Sequence, residues 1–306
     1  MKAYLFKNYD NALNCFNQLK GKVVTIECEW GDRELNGVLS LKHHGRNQAN
    51  IAPSAFYRDV NYTNINNPTF LLSHLDADAI FGAMWVMGII DRYDKTHIEI
   101  SRMVEKADIL GPHFIMENWN SELFKKWIVI GWIINRNNVT NEGDITELLK
   151  EIIIGIKTIL NIDNIEKHPL YSESYEWFTK IKKNAEQYID VKYKFVTGFV
   201  SSKFMLSNYY LTGKLKPFLI QYHPKAKRIT ISAINDEVAK YVFGENGLVS
   251  FMQEIFGSGA GGKVSIAGTP KSKEIKIKDY NSVKKILRDR VAEKLTVKKL
   301  NELVTI

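Results

Sequence analysis

The sequence predicts an α/β protein built as two domains, and three observations carry that expectation. At 306 residues the chain is longer than one average domain. Strand-like and helix-like segments alternate from the first residues onward. The stretch from Thr69 to Gly82 joins a short apolar strand, ending at Ser73, to an apolar run from Ala79 to Ile90 that reads as a buried helix.

In chain order, Lys2–Lys7 reads as a strand and Ala12–Leu19 as a helix. Lys22–Trp30 alternates as a strand, and Gly31-Asp32-Arg33 turns the chain into another, Leu35–Leu41. Residues 45–68 are Asn-rich and contain Pro53 and Pro68, a loop long enough to cover a site. After the helix that starts at Ala79, His97–Ser101 reads as a short strand before a helical run ending in Ala107-Asp108. Residues 119–160 carry Trp and Ile at helical spacing, and Tyr171–Ile189 forms a further helix. The pattern changes near residue 190. Val191–Val200 reads as a strand, and Phe218–Tyr222 pairs with Arg228–Ile234 across a turn. Helices at Val238–Tyr241 and Leu248–Phe256 precede a glycine cluster, Gly257 to Gly268, and Ser282–Lys294 closes the chain as a helix. The expected domains are therefore 1–190 and 191–306, with a linker near 189–196.

The chemistry concentrates where the Thr69 strand ends. His74, Asp76 and Asp78 are spaced two apart. In an extended turn alternate residues point the same way, so the three can converge on one point. Such a group beside a buried strand is electrostatically costly without a cation, and a mixed imidazole–carboxylate set suits Mn²⁺, Fe²⁺, Mg²⁺ or Zn²⁺. The plain alternative is a capping Asp78 and a solvated Asp76.

Ser73-His74-Leu75-Asp76-Ala77-Asp78-Ala79 resembles the first motif of the DHH phosphoesterases, S-H-x-D-x-D-G, with Ala79 at the glycine position. That resemblance implies a Rossmann-like N-terminal domain with a mainly parallel sheet, one or two Mn²⁺ ions (Mg²⁺ as the substitute), and a smaller α/β domain that binds substrate. It further implies that Asp108, matching a later acidic motif after an apolar helix, is a ligand. The Asp-His-His that names the family does not occur in this chain; the adjacent pair His43-His44 follows the Leu35–Leu41 strand. Both readings of that pair stay open: a relocated pair of metal ligands, with His44 catalytic beside Asp76 and Asp78, or turn histidines beside Gly45. A second stretch, Gly261-Gly262-Lys263 through Gly268, is similar to the family's G-G-H-x-x-A-A-G signature. There the resemblance implies a phosphate site, with Lys263 in place of the histidine. Lysine can neutralise a phosphate but is a poor acid–base group near neutral pH.

Composition bounds the rest. A net charge of +8 favours a polyanionic partner. The two cysteines form no CxxC arrangement and no leader precedes them, so a reduced, cytoplasmic protein is expected. No apolar run is long enough to span a bilayer, so no membrane partner is expected. The function expected is metal-dependent hydrolysis of a nucleotide or short oligonucleotide phosphodiester by metal-activated water. A homodimer is left open. Two other readings stand beside it: a degenerate, non-catalytic binding protein of the same fold, and a metal-independent nucleic-acid-binding protein.

Overall fold

A computed structural model describes residues 1–19, 21–30, 33–42, 52–58, 64–118, 121–137, 141–270 and 272–304. Contacts divide the chain into two units, residues 1–109 with 120–177, and residues 110–119 with 178–306.

The elements of the first unit are β1 (Lys2–Leu5), α1 (Tyr9–Gln18), β2 (Val23–Ile26), β3 (Glu29–Trp30), β4 (Arg33–Glu34), β5 (Leu39–Leu41), a 3-10 turn (Pro53–Arg58), β6 (Thr69–Leu72), α2 (Ala77–Val86) and α3 (Lys95–Leu110). The short α4 (Pro112–Glu117) falls in the second unit, and the first resumes with α5 (Glu122–Arg136), β7 (Gly143–Asp144), α6 (Thr146–Leu160) and the start of α7 (Pro169–Gln187). Four strands run parallel in the order β5-β2-β6-β1, and β7 adds an antiparallel edge. The mixed α/β architecture with a mostly parallel first sheet is as expected.

The pattern of α2 explains its place. Apart from Asp78 in its first turn it is apolar all round, and every residue from Asp78 to Val86 is buried. Phe81, Met84, Ile130, Ile152 and Leu72 share one core, where each fully buried side chain of this size contributes about 1.5–3 kcal/mol. The indole of Trp85 donates to Ser101 Oγ at 3.1 Å, tying α2 to α3 inside that core.

Several expected elements differ: Lys22–Trp30 breaks after Ile26 into β2 and β3, and Leu35–Leu41 is strand only from Leu39. His97–Ser101 is not a strand but lies within α3. Asp94 caps that helix, its Oδ1 accepting from His97 N at 3.0 Å, and Ile100, Met103 and Val104 follow helical spacing into the core. Val191–Val200 is not one strand, and 189–196 is not a linker. The segment forms an antiparallel hairpin, β8 (Ile189–Lys192) and β9 (Val196–Val200), with Lys192 opposite Thr197. The division between units falls earlier than residue 190, between Trp177 and Phe178 within α7.

The second unit continues with α8 (Leu206–Tyr210), β10 (Phe218–His223), β11 (Arg228–Ala233), α9 (Asp236–Phe243), α10 (Gly247–Phe256), β12 (Gly261–Lys263), β13 (Ile266–Gly268), α11 (Ile277–Lys294) and α12 (Val297–Val304). Its sheet runs β12-β13-β11-β10-β9-β8, with only the β9–β10 pair parallel. Phe218, Ile231, Phe251, Tyr280 and Leu287 form its core.

Candidate metal centre

The parallel strands β2, β5 and β6 end at one level: Ile26 is in register with both Leu41 and Leu72. The residues that follow therefore emerge side by side at the carboxyl edge of the sheet, the edge where open α/β sheets hold their ligands. After β2 comes Glu27, and after β6 come Ser73 and His74.

Glu27 is 1% exposed and takes a positive φ of 52°, a left-handed conformation that costs a non-glycine residue about 1 kcal/mol or more. Long-range bonds hold it there. Its N–H donates to Leu41 O at 2.8 Å, and its carbonyl accepts from Glu29 N and from the Ser73 hydroxyl. The kink ends the strand and presents the carboxylate to His74, with Oε2 2.6 Å from Nε2. Asp76 Oδ2 lies 3.4 Å from the same nitrogen. Since the Ser73 hydroxyl spends its hydrogen on Glu27, it accepts from His74 Nδ1 at 2.7 Å. This network assigns protons to both ring nitrogens. Burial opposes the imidazolium, but the hydrogen bonds and charges of Asp76 and Glu27 overcome it and push the His74 pKa up to about 10.

His74 and Asp76 thus converge as alternation predicts, but alternation stops there. Asp76 is the N-cap of α2, its Oδ1 accepting from Ala79 N at 2.9 Å, and helical geometry turns Asp78 elsewhere. Asp78 Oδ1 instead accepts from the backbone N–H of Ser54 at 3.0 Å and from its hydroxyl, in the 3-10 turn. Its Oδ2 is buried and has no hydrogen-bond partner among the described residues. Burial foremost, then the negative charges of Glu27 and Asp76, raise the Asp78 carboxyl to about 7 against the opposing Ser54 bonds.

The third member of the cluster is Glu27, which sequence reasoning missed. Glu27, His74 and Asp76 each offer a ligand atom, all within 4.8 Å of one another. Two hard carboxylate oxygens with one imidazole nitrogen fit Mn²⁺ or a similar divalent ion, and Asp78 lies outside this ligand set. Asp108 is not brought to this cluster; it is exposed near the end of α3. His43 and His44 lie outside the described residues.

Gly261, Gly262 and Lys263 form β12, the edge strand of the second sheet, hairpinned to β13. The hairpin itself requires glycine at 262. Its φ is 152°, and a Cβ would stand 2.1 Å from Ile266 O.

No family model matches the sequence, and no curated protein matches it. Among solved structures, the chain is similar to the pGpG-specific phosphodiesterase PggH of Vibrio cholerae, at TM-score 0.50 and 14% identity over 96% of this chain and 99% of that one. The likeness is one of fold. An uncharacterized protein from Helicobacter pylori G27 aligns over 92% of this chain and 87% of its own, at 13% identity and TM-score 0.23. Among the described residues, no helix is long and apolar enough to cross a membrane.

Proposed function

We propose that this protein is a divalent-metal-dependent phosphodiesterase acting on a nucleotide or short oligonucleotide. The observation that carries the reading is the Glu27–His74–Asp76 cluster at the carboxyl edge of a parallel sheet, with Asp78 buried beside it. The fold it shares with a phosphodiesterase that cleaves a dinucleotide supports the same class of substrate, and so does the +8 net charge.

Glu27, His74 and Asp76 would hold the cation, Mn²⁺ being the best match to the donors. A bound divalent ion supplies an acidic water at neutral pH and a sink for developing phosphoryl charge. The chain's own groups do the rest. Ser73 orients the His74 ring through Nδ1, so that Nε2 is the nitrogen turned to the carboxylates. The first turn of α2 fixes Asp76 through its cap. Asp78, held by Ser54, would add a buried carboxyl next to Asp76. Gly261, Gly262 and Lys263 would receive a substrate phosphate, lysine acting as a point charge.

The test is turnover of bis-p-nitrophenyl phosphate after chelation and after adding back Mn²⁺. Metal-restored turnover in the wild type, reduced at least 100-fold in Asp76→Ala, supports the reading. Absence of turnover in a protein that still binds Mn²⁺ would make it the degenerate binding protein instead.

A further inference from the structure

One face of the second unit's sheet is apolar; the other is apolar at Phe199 and Leu219 and turns polar toward the β12 edge. Pleating sends Ile220, Tyr222, Ile229, Ile231 and Ala267 into the core. The opposite face carries Gln221, His223, Thr230, Gly268 and Gly261. The register sets Gln221, Thr230, Gly268 and Gly261 in one row across β10, β11, β13 and β12. Thr230 and Gly268 are half-buried and Gly261 is exposed. A Cβ built on Gly261 would meet nothing within 4 Å, so the row ends in a bare shelf. From Thr230 to Gly261 it spans two strand spacings, about 10 Å.

His223 overhangs the start of that shelf, and its ring is fixed from three sides. Gln221 is buried with Oε1 accepting from Met205 N at 2.7 Å, which turns its amide nitrogen toward the carbonyls of Ser201 and Lys203 and sets it 3.2 Å from His223 Nδ1. The two carbonyls take both amide hydrogens, so Nδ1 faces a nitrogen that cannot accept, and the ring proton sits on Nε2. The ring lies parallel to Phe204, centroids 6.1 Å apart and planes 9° apart, and Phe204 is 44% exposed. Burial lowers the His223 pKa, so the ring is a neutral donor at physiological pH. Among the described residues its Nε2–H has only Thr230 Oγ1, at 3.4 Å, a long contact for a hydrogen bond.

A fixed, under-used donor beside a hydroxyl, opening on a flat shelf with an exposed aromatic ring at its rim, matches the edge of a nucleobase. We propose that His223 and Thr230 form a purine-binding subsite. His223 Nε2–H would donate to purine N7. The Thr230 hydroxyl, which can donate or accept, would serve O6 of guanine or the N6 amine of adenine. The base would lie over Gly268 and Gly261, and its sugar phosphate would run toward Lys263, two residues along β12 on the same face. The proposal rests on a nucleotide being the substrate but needs no turnover, so it is tested by binding alone.

The experiment is calorimetric titration of the full chain, in chelator, with GMP, AMP, UMP and ribose 5-phosphate. The wild type should bind GMP and AMP about tenfold more tightly than UMP or ribose 5-phosphate. The near-isosteric Thr230→Val and the ring-deleting His223→Ala should each weaken purine nucleotides about five- to tenfold while changing ribose 5-phosphate less than twofold. The subsite is overturned if wild type shows no purine preference, if both variants bind GMP as wild type does, or if they lose ribose 5-phosphate equally. None of these outcomes depends on whether the metal cluster hydrolyses anything.

Discussion

Glu27 and His74 meet across the ends of two neighbouring parallel strands, carboxylate oxygen to ring nitrogen at 2.6 Å. In the metal-free chain this is an ion pair, because His74 is protonated at neutral pH. A cation held by the same atoms must displace that proton. Mn²⁺ binding at pH 7 is therefore expected to release about one proton. Calorimetry in two buffers of different ionisation enthalpy reads this directly; equal heats in both would contradict it.

His74 and the neighbouring Asp78 give the metal-free protein a pH signature. His74 and Asp78 both have folded pKa values raised, to about 10 and about 7. Their contribution to stability is full below the unfolded values and is lost as pH rises. For Asp78 the loss runs between roughly pH 4 and 7, and for His74 between roughly 6.5 and 10. In chelator, the urea midpoint of the wild type should fall from pH 6 to pH 9 more than that of the His74→Gln, Asp78→Asn double variant. Equal slopes would show that these groups do not carry the effect.

Ser54 is fully buried and gives Asp78 Oδ1 both its backbone and hydroxyl hydrogens. Ser54→Ala removes one donor from a buried carboxyl, at an expected cost of about 1–3 kcal/mol by urea denaturation. A change under about 0.5 kcal/mol would mean that Asp78 is not held through that hydroxyl.

Gly82 lies where the 3-10 turn presses on α2. A Cβ there would stand 2.7 Å from Pro53 Cβ and 3.1 Å from Leu41 Cδ1. Gly82→Ala gains helix propensity but overpacks this contact, and should destabilise by about 1–3 kcal/mol. A stabilised variant would show that the turn does not sit on the helix as described.

Much of the site is written locally, and that part was legible. The Thr69–Leu72 strand and the run Ala79–Val86 of α2 leave no solvent-tolerant face, so their burial and the strand-to-helix join around His74 and Asp76 follow from composition alone. Glu27 was hidden for the opposite reason. The alternation of residues 22–30 runs straight through it, and the kink that exposes its carboxylate comes from Leu41 and Ser73, both distant in sequence. The visible trace was an acidic residue closing the buried run Val23–Ile26. The turn of Asp78 toward Ser54 likewise depends on where α2 starts, one residue after its cap, which periodicity does not resolve. The hairpin at 189–200 was masked because its turn, Tyr193-Lys194-Phe195, contains none of the residues that usually mark a turn.

The most direct test of the central claim is hydrolysis of a 5′-phosphorylated dinucleotide by wild type, Glu27→Gln and Asp76→Asn, each in chelator and with Mn²⁺ restored. The account predicts Mn²⁺-dependent release of mononucleotides by the wild type and at least a 100-fold loss in both variants with their folds intact. Turnover that survives chelation, or Glu27→Gln as active as the wild type, would contradict it.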